Sequence, residues 1–364
     1  MKNKLTVGIF GYYSYRNLGD NLMAYLLSKQ IRNTGHVPLV FSKFADNMQD
    51  WGVELVSDVK EFVEQADLVI FGGGGLLIPR KSLSGEGADF NEDLHDVLEM
   101  VEANGTPLYG ISLGGGGKPL SQIVPEERRR LIRSLNYLTL RNREDMQLLE
   151  QAGIKGEFLD DLVWTTAKSF PLTPPASNGR RRIGINLYLG RSRRFKVLRK
   201  IIEMAVRLRS DMDFVFFDIH PGRNDEFKAY SPDRLPRNCE RRQLVDMEDA
   251  CRQAASLDLL LTTRLHLGVM AMSYGVTTIA YAGQEKTRLL YNRIGRGELF
   301  WRSGKIFNFI KLFFFPGQLD KTLERQTAID DAIIDNASSH YDRLAEILDS
   351  EASGKSYSGA SGLG

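Results

Sequence analysis

Arg264 and His266 follow directly on the apolar run Leu259-Leu260-Leu261-Thr262-Thr263, and a small-residue helical pattern, Leu267-Gly268-Val269-Met270-Ala271, begins right behind them. Ligands of open α/β sheets sit beyond the carboxyl ends of the strands. A guanidinium and an imidazole at such an end, where a helix starts, can meet an anionic ligand. An arginine capping a domain interface, with a histidine packed beneath it, is the competing explanation. Three further segments tilt the balance toward a site. The first is Tyr12 through Asn21, in which Asn17 and Gly19 suit a tight turn and Asp20 can cap the helix behind it. The second comprises two glycine runs, Gly72–Gly75 and Gly114–Gly117, each closing a strand-like stretch. Consecutive glycines are entropically costly, so two such runs suggest that backbone must approach a ligand closely; close packing of loops would account for one. Neither run has the GxGxxG spacing of a dinucleotide site. The third is Leu138-Thr139-Leu140-Arg141, a strand end feeding a helix. Arg141 is expected to project from the first domain as Arg264 does from the second, and opposed guanidiniums can clamp a carboxylate and a phosphate. Arg143, Glu144 and Asp145 read as first-turn surface charges.

The elements that must hold these residues alternate. Leu5–Gly11 reads as a buried strand and about Asp20 through Arg32 as a helix, with Leu22, Tyr25, Leu26 and Ile31 on one side. Strand-like runs recur at Val37–Phe41, Leu68–Phe71, Pro107–Ser112 and Tyr137–Leu140, with helical patterns between them, as in a parallel sheet covered by helices. Pro171 through Gly179 interrupts the pattern as a linker. It restarts at Arg182–Leu187, followed by Phe214–Phe217, Leu257–Leu261 and Thr277–Ala280. The fold class expected is α/β, with two Rossmann-like, doubly wound domains facing a cleft. Residues 1–172 form the first domain, 173–179 the linker, 180–325 the second domain, 326–349 a C-terminal helix, and 350–364 a Ser/Gly/Ala-rich disordered tail.

At 364 residues the chain is long for one core. Its 48 Lys+Arg against 46 Asp+Glu leave a net charge of +2, so no global field favours nucleic acid as a partner. Cys239 and Cys251 have neither disulfide-framework nor metal-ligand spacing. Met1-Lys2-Asn3-Lys4 runs into the first strand without the apolar region of a signal peptide, and no apolar run reaches membrane-spanning length, so a cytoplasmic protein is expected.

Taken in order, Asn17-Leu18-Gly19-Asp20, Phe71–Gly75, Leu140-Arg141, Asp161-Leu162-Val163, Thr263-Arg264-Leu265-His266 and Tyr281 through Lys286 resemble the polysaccharide pyruvyl transferase family, over Leu5 to about Gly295. The sequence departs from the family's usual pattern at Asn142, where Asp is common, and at Asp145, where Ser is common. The resemblance implies a GT-B-like pair of domains and transfer of pyruvate from phosphoenolpyruvate, a co-substrate rather than a cofactor, to a sugar hydroxyl pair. The product would be a pyruvate ketal on a cell-surface polysaccharide or its lipid-linked precursor, with phosphate released. It implies donor binding by Arg141, Arg264, Leu265, His266 and Lys286, with Arg141, Arg264 and His266 catalytic. His266 would do acid/base work, since imidazole titrates near neutrality, or only bond the phosphate. The acceptor would lie on the first domain, along Asn17, Asp20, Gly73, Gly74 and Gly75, with the polar loop Arg80 to Phe90 as a further candidate.

Two features bear on other partners. The cluster Arg191-Ser192-Arg193-Arg194-Phe195-Lys196, with Arg199 and Lys200, could hold the diphosphate of a lipid-linked acceptor or be a solvated helix face. Lys305 through Pro316, aromatic with basic flanks, could touch a membrane interface at the inner face of the membrane or pack in the core. His220 ends a strand of the second domain and is a secondary candidate. A nucleotide-sugar glycosyltransferase of the same architecture and a non-catalytic scaffold in polysaccharide assembly are the rival readings. The acceptor sugar, the ketal linkage and the oligomeric state stay open.

Overall fold

Buried apolar runs, each ending in a turn and followed by a helix, wind the first part of the chain into a parallel sheet. A computed structural model of the protein describes residues 4–15, 17–43, 53–78, 86–173, 179–187, 193–219, 236–244, 246–324 and 328–357. The opening elements are β1 (Thr6–Phe10), α1 (Leu18–Asn33), β2 (Val37–Phe41), β3 (Glu54–Val56), α2 (Val59–Gln65), β4 (Leu68–Gly72), α3 (Glu86–Asn104), β5 (Leu108–Leu113), α4 (Glu126–Ser134), β6 (Tyr137–Leu140), α5 (Met146–Ala152) and β7 (Gly156–Phe158). The strands lie in the order β3-β2-β1-β4-β5-β6-β7, each parallel to its neighbours. Strand order reverses between β1 and β4, and connections that diverge there leave a crevice at the carboxyl ends. Aromatic side chains fill the sheet face near that end. The Phe10 ring stacks on Phe41 at 5.2 Å and meets Phe71 at 5.4 Å and Phe90 at 5.5 Å.

The alternation then repeats through α6 (Thr166–Ser169), β8 (Arg181–Asn186), α7 (Arg193–Leu208), β9 (Met212–Asp218), β10 (Cys239–Gln243), α8 (Met247–Ala255), β11 (Leu259–Thr262), α9 (Leu265–Ser273), β12 (Thr277–Tyr281), α10 (Glu285–Arg293), β13 (Phe300–Trp301), α11 (Phe307–Phe314) and α12 (Gln318–Glu324). The order β10-β9-β8-β11-β12-β13 is again parallel throughout, with its reversal between β8 and β11. The two sheets thus share one winding plan without sharing a sequence repeat.

The chain closes with α13 (Asp331–Ala352), and the two compact units are Met1–Val163 with Ala332–Gly364, and Trp164–Asp331. The first boundary therefore precedes the Pro/Ser-rich stretch expected to carry it. Residues 164–172 belong to the second unit, where the Tyr274 hydroxyl donates to the Phe170 carbonyl at 3.0 Å. The C-terminal helix belongs to the first unit. It buries Ala337, His340, Leu344, Ile347 and Leu348 at helical spacing. The expected disordered tail is also corrected, since α13 runs to Ala352 and Tyr357 packs edge-on against Tyr137 at 5.4 Å, its hydroxyl donating to Glu346 at 2.8 Å. Residues 174–178 of the expected linker and 358–364 of the tail lie outside the described residues.

His340 shows what α13 contributes. The Ser112 N–H donates to Thr139 Oγ1 at 2.8 Å, Thr139 Oγ1 lies 2.9 Å from His340 Nδ1, and His340 Nε2 lies 2.9 Å from the Asp160 carbonyl. A carbonyl only accepts, so Nε2 carries the proton and Nδ1 takes the threonine hydroxyl's. The ring is neutral in this arrangement, and burial holds its pKa down at about 4.

Candidate functional site

In the first unit the loop after β1 enters α1 through Asn17. Its side-chain carbonyl accepts the Gly19 N–H at 3.2 Å, and its amide donates to Asp20 Oδ2 at 2.5 Å. Asn17 is therefore the helix cap. Asp20, expected to cap, sits inside the first turn, where a carboxylate complements the helix dipole. Tyr13 lies beneath this loop and donates its hydroxyl to the Gly72 carbonyl. Burial, and then the Asp20 carboxylate, push the Tyr13 phenol well above its ordinary pKa, so it stays a neutral donor.

The glycine turn after β4 is explained by α1. Gly73 has φ +66°, and a Cβ there would overlap Met23 Sδ; a Cβ on Gly74 would stand 3.0 Å from Asp20 Oδ1. The run lets backbone lie against a helix, and Gly72, Gly73 and Gly74 are themselves buried while Gly75 is half-buried. The run after β5 is explained in the same way. A Cβ on Gly114 would stand 2.5 Å from Arg141 Nε, and one on Gly115 would stand 2.7 Å from Asp145 Oδ1. Asp145, expected on the surface, is fully buried. It accepts the N–H groups of Gly115 and Gly117 at 2.6 and 2.7 Å and the Asn142 amide at 2.9 Å. The two positions that depart from the family's usual pattern thus bond to each other.

Arg141 was expected to project from the sheet. Its side chain is instead 3% exposed, with Nη1 2.8 Å from Asp161 Oδ2 and 3.8 Å from Met23 Sδ. A buried guanidinium requires such a partner. Gly73, Gly74 and Arg141 therefore meet Met23 at the carboxyl end of the first sheet, with Asp161 bonded to Arg141, Asp20 against Gly74 and Asn17 bonded to Asp20. Met23 was not singled out in the sequence, Tyr13 was read only as part of the Tyr12–Asn21 loop, and Asp145 was read as a surface charge. A carboxylate three residues beyond Asn142, needed by two glycine N–H groups, was the available signal for Asp145.

In the second unit Thr262 ends β11 and its hydroxyl accepts the Arg264 N–H at 2.9 Å, turning the chain into α9. Asn186, at the end of β8, receives the Thr262 hydroxyl at 3.3 Å and donates to the Phe217 carbonyl at 3.0 Å, tying three strand ends together. Arg264 occupies the cap position of α9, Leu265 and His266 its first turn, and Lys286 the first turn of α10. All four are half-buried. Because β11 and β12 are neighbouring parallel strands, α9 and α10 both begin at the carboxyl edge of the second sheet, behind strands about 5 Å apart. A helix start carries outward-pointing N–H groups and partial positive charge, so cationic side chains there reinforce an anion site.

A profile of the family described as polysaccharide pyruvyl transferase matches residues 17–285. The chain belongs to the polysaccharide pyruvyl transferase family. It is 40% identical over 78 residues to general stress protein 30 of Bacillus subtilis (strain 168), a stretch that covers 21% of each chain. Among solved structures it resembles the S. aureus MnaA–UDP co-structure, with 12% identity, 98% and 99% of the two chains covered and a TM-score of 0.63. It also resembles the glycosyltransferase SnogD from Streptomyces nogalater, with 12% identity, 96% and 100% covered and a TM-score of 0.51. Those likenesses show the fold: two Rossmann-like domains of the GT-B type.

Among the described residues no group of three or more His, Cys, Asp or Glu side chains is placed to hold a metal, and no helix is long and apolar enough to cross a membrane. The candidate loop Arg80 to Phe90 lies outside the described residues as far as Gly85; from Glu86 the chain is α3, with Phe90 buried. Arg191, Ser192 and His220 also lie outside them.

Proposed function

We propose that this family member transfers pyruvate from phosphoenolpyruvate to two hydroxyls of a glycan or lipid-linked sugar, forming a ketal and releasing phosphate. The observation that carries the reading is the set Arg264, His266 and Lys286 at the helix starts that follow two neighbouring strands of the second unit, within a chain that belongs to the family. Phosphoenolpyruvate presents a carboxylate and a phosphate on one carbon. We assign Arg264 to the carboxylate, whose two oxygens match a guanidinium fork, and Lys286 with the α9 N–H groups to the phosphate. His266 is assigned as the acid that protonates the methylene carbon. That step leaves oxocarbenium character at C2, where one sugar hydroxyl adds and loses its proton. The second hydroxyl then attacks the same carbon as the C2–O bond to phosphate breaks, and its proton leaves with the phosphate. Arg141 receives a positioning role, because Asp161 already holds its guanidinium and the Gly114 turn rests on it. Asn17, Asp20 and Gly73–Gly75 are assigned to the acceptor side.

The test measures the thermal midpoint with phosphoenolpyruvate and, separately, with UDP- and GDP-sugars, since a ligand of the native state raises it with concentration. A rise with phosphoenolpyruvate that vanishes in Arg264→Ala is expected. With a competent acceptor, the same variant should lower kcat by at least about 100-fold, as removal of a transition-state donor does. A rise with a nucleotide sugar alone would overturn the reading.

A further inference from the structure

Seven large apolar side chains are exposed among the described residues, and five of them belong to one packed pair of helices in the second unit. Val197, Met204 and Leu208 lie on α7; Phe307 opens α11 and Phe315 follows its last turn. On a helix of about 3.6 residues per turn, those three α7 positions fall within roughly 40° of arc and form one stripe. Beside it runs a second exposed stripe, Lys196, Lys200 and Arg207, and Glu203 is the one acid in the helix. The opposite side, with Leu198, Ile202, Ala205 and Val206, is buried. On α11 the residues Phe309, Leu312 and Phe313 turn inward, leaving Phe307 outside with Lys311 Nζ 5.4 Å from its ring centroid. The carboxyl ends of the two helices share a cavity of about 460 Å³ that joins Leu208 to Phe315, with Arg209, Asp211 and Asp320 also on its wall; the rest of the face follows from the packing of α7 on α11.

We propose that this α7–α11 face docks on an anionic lipid surface. Contiguous exposed apolar groups are uncommon on soluble chains and mark interaction sites. Charge complementarity selects the occupant. A second copy of the chain, related by a two-fold axis, would bring the Lys196, Lys200, Arg207 and Lys311 cations against one another. A layer of lipid phosphates meets every one of them, while the apolar side chains enter the boundary between headgroups and acyl chains. The long lysine and arginine stems let their charged ends stay at phosphate level. The proposal stands apart from the pyruvyl-transfer reading, and its test uses no substrate.

The experiment is co-sedimentation of the full chain with vesicles of phosphatidylcholine alone and of phosphatidylcholine mixed with phosphatidylglycerol. Binding to the mixed vesicles only, weakened by salt, is expected. The triple variant K196E/K200E/R207E should lower partitioning by about 100-fold or more, because each cation near such a surface contributes about a five-fold gain. M204S/L208S should weaken binding at low salt also, with only a small fall in the thermal midpoint, since Met204 is 44% and Leu208 65% exposed. Equal binding to neutral vesicles, or none to either kind, would overturn the proposal. A dimer in light scattering that M204S/L208S converts to monomer, without vesicle binding by the parent chain, would assign the face to a second copy instead.

Discussion

Acidification should loosen the first unit through His340. The folded ring is neutral, bonded to Thr139 and to the Asp160 carbonyl, with its pKa depressed by burial to about 4. In the unfolded chain it returns to about 6.5. Between those values the unfolded state binds the extra proton, so stability present above pH 6.5 is lost as pH falls and the loss levels off below pH 4. At about 1.36 kcal/mol per pH unit, the gap caps the loss at roughly 3.4 kcal/mol, of which about 1.4 kcal/mol is gone by pH 5.5. Other carboxylates and histidines titrate over the same range, so the comparison is with His340→Gln, whose amide offers a donor and an acceptor but never ionises. Urea unfolding of both proteins, followed by hydrogen exchange at β5 and β6, isolates the term. The advantage of the parent over the variant should shrink by about 1.4 kcal/mol between pH 7.5 and 5.5. A difference that stays level with pH, or an imidazole resonance of His340 titrating near 6.5 in the folded protein, would refute the reasoning.

Three further substitutions probe the carboxyl end of the first sheet. Asp161→Asn leaves the buried Arg141 guanidinium without its carboxylate and should cost about 3–5 kcal/mol, read from chemical denaturation. Asp145→Ala strips the acceptor from the Gly115 and Gly117 N–H groups and the Asn142 amide, and should cost about 2–4 kcal/mol, with Asp145→Asn recovering part of it. Gly73→Ala meets both a positive φ and Met23, and should cost about 1–3 kcal/mol or more by thermal denaturation; adding Met23→Ala removes the Sδ overlap but leaves the Met23 Cβ contact and the backbone strain, so it recovers only part of the loss.

The inner strands of both sheets were legible because each is a short apolar run that stops at a glycine, an arginine or a turn residue, whereas the edge strands β3, β7, β10 and β13 were not, being two to five residues long and, in β10, largely charged. Local periodicity settles such features, and the same applies to Arg264, Leu265 and His266 at the entry to α9. What local periodicity does not carry is which loops close on one another. The Arg141–Asp161 pair spans 20 residues and Thr139–His340 spans 201, so neither partner announces the other. The glycine runs read as room for a ligand, whereas in the fold that room is taken by Met23, Asp20, Arg141 and Asp145. Asp145 looked like a surface charge because its neighbours Arg143 and Glu144 are charged; only the turn from β5 reveals its burial.

The return of α13 to the first unit has a consequence for synthesis. Trp164–Asp331 is continuous in sequence and sits as an insertion between the two pieces of its neighbour. On the ribosome the second unit has all its parts before the first one does. Until His340 emerges, its bonds to Thr139 and to the Asp160 carbonyl are unmade. The carboxyl end of the first sheet, where Arg141 and Asp161 meet, is therefore finished last, although almost all of it is translated first. A stop codon introduced near Asp331 should accordingly harm an assembly made of residues translated far earlier.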